Sequence, residues 1–137
     1  MDKIRIQNEV KKIEVNDNGD YISVPVNDVR FIRNFHACYE KWDKAKKKLD
    51  NSATSDTGEM LDMLVDTVDG FVDDIALLFG KGSCDKIFGG YPSADGIADF
   101  FAQFMPIFER LTNQEKENSE KRIGKYTKQI EIEDDEQ

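Results

Sequence analysis

Five carboxylates, Glu59, Asp62, Asp66, Asp69 and Asp73, recur at intervals of three and four residues and are the side chains best spaced to act together. On a helix that spacing stacks them along one side, one turn apart, with Asp74 beside them. Carboxylates so placed can hold a hard cation such as calcium or magnesium. They are also what the solvated side of an amphipathic helix looks like, and this is the favoured reading. An intermediate reading is a surface that meets a basic partner, where charge raises association rate and selectivity more than affinity. The expectation is a protein-facing or solvent-facing row with no metal and no cofactor.

Other chemical candidates dissolve on inspection. The segment Asn16-Asp17-Asn18-Gly19-Asp20 has the oxygen-rich look of a calcium loop, but it lacks the bidentate Glu at the twelfth position and lies between strand-like runs. It reads as a turn. His36 is the only histidine, and no neighbouring Ser or Cys with an accompanying acid makes it part of a nucleophilic triad. Gly80-Lys81-Gly82-Ser83 lacks the spacing of a phosphate-binding loop and no parallel strand precedes it, so it reads as a helix stop. Cys38 and Cys84 are distant and have no Cys-x-x-Cys spacing, which fits reduced thiols; Cys38 falls on an apolar helical side. No catalytic residue emerges, and a non-enzymatic protein is expected.

The elements that must position these residues are legible in the pattern. Strands are expected near 10–16 and 20–26, joined at Asn18-Gly19, with residues 3–7 as a candidate third strand turning at Asn8-Glu9. Pro25 belongs at an edge or strand end. A first helix, capped by Asn27 or Asp28, carries Phe31, Phe35, Cys38, Trp42, Ala45 and Leu49 on one stripe and Lys44, Lys46, Lys47 and Lys48 toward its end, where cations suit the helix dipole.

Residues 50–55 have loop composition. Asp56 and Glu59 then open a second helix as a capping box, with Leu61, Leu64, Val65, Val68, Phe71, Val72, Ile75, Leu78 and Phe79 as its apolar side. Gly70 within it marks a point of close packing. Residues 83–88 allow one capped turn, with Ile87 and Phe88 plugging the bundle. Ser93 caps a third helix bearing Ile97, Phe100, Phe101, Phe104, Phe108 and Leu111, which Pro106 should kink near 102–106 or break in two.

The expected architecture is α+β: an N-terminal antiparallel hairpin, of two or three strands, packed on a three-helix body. Residues 1–112 form its single domain and 113–137 a charged tail, partly helical and disordered from Glu131 to Gln137.

A chain of 137 residues with nine Phe, four Tyr and one Trp can order one core. Its net charge of −9 repels nucleic acid and anionic membranes alike. There is no signal-peptide pattern and no span of bilayer length, so a cytoplasmic location is expected.

The run from Leu78-Phe79-Gly80-Lys81-Gly82-Ser83 through Lys86-Ile87-Phe88-Gly89-Gly90-Tyr91-Pro92-Ser93, followed by Met105-Pro106-Ile107-Phe108-Glu109-Arg110, resembles small tail assembly chaperones of long-tailed, siphovirus-like bacteriophages and prophages. The likeness covers roughly residues 4–112. It implies a protein of the host bacterial cytoplasm that binds the tape-measure protein, helps recruit tail-tube protein and is absent from the finished particle. It also implies a slippery heptanucleotide near the end of the gene, giving a minor extended product.

An aromatic groove is a usual way to hold an apolar helix, which makes Phe100, Phe101, Phe104 and Met105 candidate partner-binding residues beside the acidic row. The alternative for these four is core packing. Two other functions stay open: a structural tail-completion or connector subunit forming rings as a homo-oligomer, and an acidic regulator or inhibitor that mimics nucleic acid.

Overall fold

The protein is described by a computed structural model covering residues 1–6, 9–51 and 56–135, with residues 119 and 122–135 given by backbone course alone. It comprises two compact units, Met1–Ala102 and Gln103–Gln137.

In the first unit, β1 (Val10–Glu14) and β2 (Tyr21–Pro25) form an antiparallel pair in which Ile13 faces Ile22 and Lys11 faces Val24. The turn between them is wider than a two-residue Asn-Gly turn. Val15 N–H bonds the Asp20 carbonyl at 2.9 Å, and Asn16 Oδ1 accepts from the N–H groups of Asn18 (2.9 Å) and Asp20 (3.2 Å). Asn18 keeps a negative φ, and Gly19 alone in the turn takes a positive one, 85°.

Asn16 Nδ2 also donates to the Lys86 carbonyl at 3.0 Å, which ties the turn to α3 (Ser83–Phe88). Ile22, Val24 and Val26 are buried, and β2 packs on α2 (Thr57–Phe79). Pro25, the last residue of β2, stands opposite Val10 at a non-bonded position, so its missing N–H costs the ladder nothing.

The candidate third strand does not form. Residues 1–6 are non-strand, with Ile4 and Ile6 exposed, and the sheet has two strands among the described residues. Gln7 and Asn8, to which part of that strand and its turn were assigned, lie outside the described residues, as do positions 52–55 of the expected loop.

α1 (Val29–Asp50) begins where Asp28 Oδ1 accepts from Arg30 N–H at 2.9 Å and Phe31 N–H at 3.4 Å. Asp56 does the same for α2, accepting from Gly58 N–H at 2.9 Å and Glu59 N–H at 3.3 Å. Phe31, Phe35, Cys38 and Trp42 are buried as their spacing requires. α3 ends on Gly89, a left-handed residue whose N–H bonds the Asp85 carbonyl at 2.9 Å. α4 (Ala94–Asp135) starts on Ser93, whose Oγ accepts from Gly96 N–H at 2.9 Å.

The core of this unit is aromatic. The Phe71 ring lies 5.6 Å from Phe101, 5.7 Å from Phe88, 6.2 Å from Phe100 and 6.4 Å from Trp42, mostly edge to face. Phe35 joins Phe101 at 6.0 Å, and Phe79 meets Phe31 at 5.6 Å. The short α3 thus contributes Phe88 to the cluster, the plug its sequence implies.

α4 is not broken at Pro106. The helix runs on to Asp135, so residues 131–135, expected to be disordered, are helical, while residues 136 and 137 lie outside the described set. The two compact units divide between Ala102 and Gln103, and Ala102 carries the carbonyl that Pro106, lacking an N–H, cannot bond. In the second unit Phe104, Phe108 and Leu111 are buried at helical spacing, with the Phe104 and Phe108 rings stacked at 6.0 Å.

Phe71→Ala should cost about 3–5 kcal/mol, much of a typical domain's stability of about 5–15 kcal/mol. A shift of that size in the urea midpoint, read by circular dichroism, checks it.

Candidate functional site

Glu59, Asp62, Asp66, Asp69 and Asp73 are all exposed along one side of α2. Among the described residues no three His, Cys, Asp or Glu side chains converge to hold a metal ion. Asp69 accepts a hydrogen bond from the Tyr91 hydroxyl at 2.6 Å, which fastens the α3–α4 connection to α2 and raises the Tyr91 pKa. Asp74, a quarter-turn from the row, is half-buried and pairs with Lys41 Nζ at 2.9 Å, linking α2 to α1.

Of the aromatic candidates, Phe100 (9% exposed) and Phe101 (4%) lie inside the cluster around Phe71. In the second unit Phe104 is buried and Met105 half-buried. All four are placed as interior or near-interior groups. His36 is exposed, 3.7 Å from Glu40.

A concave apolar surface lies elsewhere, at the junction of the α1 C-terminus with the N-termini of α2 and α4. There a half-open groove of about 550 Å³ is lined by Trp42, Leu49, Met60, Leu61, Leu64 and Ala98, with Lys46, Asp50 and Asp95 among its polar groups. Leu61 is 55% exposed and Val65, one turn further along α2, 50%. Both were expected in the core.

The reason they are not is geometric. At 100° per residue the apolar residues of α2 span an arc of about 140° from Leu78 to Val65, wide for one side of a helix. In the C-terminal half the arc meets Phe31, Phe88 and Phe100. Toward the N-terminus the facing positions of α4 are Ala94 and Ala98, too small to cover it. The charged groups that line the groove are Asp50 and Lys46 from α1 and Asp95 from α4, while Asp66 of the acidic row lines a separate cavity between α1 and α2. A stripe wider than the neighbouring side chains can fill was the signal in the sequence; which end would be left open was not.

A second cavity, of about 330 Å³, lies between α1 and α2 and is lined by Cys38, Lys41, Gly70 and Asp74 among others. Burial, followed by the negative charge of Asp74, pushes the Cys38 thiol up to about 12, which keeps it protonated and unreactive. The hydrogen bond to Asp74 likewise raises the Lys41 pKa.

Gly70 does not mark close packing. A Cβ built there meets no atom within 4 Å. Gly70→Ala should therefore stabilise the fold by about 0.4–1 kcal/mol through the unfolded-state entropy it removes, measured as a higher melting temperature.

Both Cys38 and Lys41 have folded pKa values above their unfolded ones, so their contribution is full below about pH 9 and is lost as pH rises toward about 12. The urea midpoint should fall between about pH 8 and about pH 10.5, and less steeply in Cys38→Ala. Lys41 is largely exposed, so solvent screening limits its share to about 1 kcal/mol or less.

Residues 18–134 match DUF6673, a family of unknown function. No curated protein and no solved structure matches the chain. No helix among the described residues is long and apolar enough to cross a membrane.

Proposed function

We propose that this chain, which belongs to the DUF6673 family, is a non-enzymatic protein-binding factor that holds an apolar helical segment of a larger protein in the groove beside Leu61 and Val65. The observation that carries this reading is the groove itself: a concave apolar floor, the half-exposed Leu61 on it with Val65 one turn further along the same helix, and Asp50 and Asp95 among its lining groups. An amphipathic helix fits such a surface by laying its own stripe on the floor. Lysines or arginines beside that stripe would meet Asp50 and Asp95, which favours rapid and selective association.

The motifs at Leu78–Ser93 and Met105–Arg110 extend the reading to a tail assembly chaperone of a long-tailed bacteriophage, working in the host cytoplasm. Its client would be the tape-measure protein. Such a protein is long and helical, and its apolar stripes need cover until the tail tube surrounds them. The acidic row of α2, on the side next to Leu61 and Val65, then offers a charged surface beside the groove, and Phe100 and Phe101 act behind it, as the core that keeps α2 and the start of α4 in place.

Co-expression with the long helical protein encoded nearby tests this. The client should become more soluble and co-purify, and complex formation should weaken as salt rises. Leu61→Asp with Val65→Asp should leave the melting temperature nearly unchanged, because both positions are half-exposed, and weaken binding by at least ~10-fold, about 1.4 kcal/mol. A client that is no more soluble with the chain than without it removes the chaperone reading.

A further inference from the structure

The first residues of the chain carry an apolar pattern that the fold leaves unused. Ile4 and Ile6 alternate with Lys3 and Arg5, the two-residue period of a strand with one apolar side, yet they are 88% and 80% exposed.

β1, meanwhile, has a strand neighbour on one side only among the described residues. Val26 N–H bonds the Glu9 carbonyl at 3.2 Å and Val15 N–H bonds the Asp20 carbonyl at 2.9 Å. In an antiparallel ladder this means that residues 9, 11, 13 and 15 turn their backbone groups toward β2. Val10, Lys12 and Glu14 turn theirs outward, and all three are exposed. A row of outward N–H and C=O groups is a template for another strand.

We propose that this edge receives residues 3–6 of a second copy of the chain, exchanged reciprocally in a two-fold dimer. Register discriminates between a chain's own arm and its partner's. A strand returning on its own β1 has only Gln7 and Asn8 in which to turn, which closes Ile6 against Glu9. Ile4 then stands opposite Lys11, and Lys3 opposite Lys12: apolar against charged, and like charge against like.

A strand from a second copy is free of that tether. Running antiparallel with Ile6 opposite Ile13, it places Arg5 opposite Glu14 and Ile4 opposite Val15. Each isoleucine then meets a half-buried aliphatic side chain, and the arginine meets a carboxylate.

The hydrogen-bond phase agrees with this register. Glu14 points its backbone outward, so Arg5 and Glu14 form the bonded pair, and the two aliphatic pairs fall at the closer, non-bonded positions. Ile4 and Ile6 also join the side of the sheet that already carries Ile13, Ile22 and Val24. Reciprocal exchange satisfies both edges with one self-complementary interface. The family match begins at residue 18, so the arm and β1 lie outside it, and the dimer stands apart from the groove reading.

Sedimentation equilibrium of the full chain, with nothing added before Met1, should show a monomer–dimer equilibrium. Ile4→Asp and Ile6→Asp should each weaken the dimer by at least ~10-fold without changing the circular dichroism or melting temperature of the monomer, in which both residues are exposed. In a Cys84→Ser background, Ile4→Cys with Val15→Cys should oxidise to a covalent dimer. A chain that stays monomeric up to its solubility limit, or a dimer indifferent to the aspartates, overturns the proposal. So does a disulfide that closes within one chain or fails to form in the dimer.

Discussion

The ring contacts of Phe71, three edge to face and one tilted, hold the first unit together, because they join side chains from four helices at one point. Trp42 comes from α1, Phe88 from α3, and Phe100 and Phe101 from the start of α4. Each such pair adds about 0.5–1.5 kcal/mol beyond its buried area. The larger effect is positional. With α3 only six residues long, the Phe88 ring and the buried Ser83 hydroxyl, which donates to the Gly80 carbonyl at 2.7 Å, hold it to α2, and Asn16 bonds its Lys86 carbonyl from the hairpin turn. The hairpin is thereby tied to the same cluster that spaces α2 from α4.

That spacing creates the groove. Phenylalanines fill the distance between α2 and α4 over the C-terminal half of α2, while Ala94 and Ala98 face its N-terminal half. Rings that separate the helices at one end leave aliphatic groups half-covered at the other. The half-exposed Leu61, with Val65 one turn further along α2, is thus a consequence of how the core is built.

Much of this was readable from the residues. The caps at Asp28, Asp56 and Ser93 mark three helix starts because a side-chain oxygen there satisfies amides that no preceding turn can reach. Alternation and the Asn-Gly pair mark the hairpin. The isoleucines at positions 4 and 6 misled in an instructive way: their period is that of a strand, but a strand also needs an edge in register, and residues 1–6 take none within the chain.

By itself the sequence determined where the hairpin and the three capped helices lie, that the stripe of α1 turns inward, and that the chain is acidic along α2, because caps, periodicity and charge act within one or two turns. The tertiary structure decided which end of the wide α2 stripe stays open and that Gly70 borders a cavity. It also decided that Phe100 and Phe101 are core and that Asp74, alone among the acids beside it, reaches Lys41. Those outcomes depend on the size and distance of side chains on other helices, which no local pattern encodes.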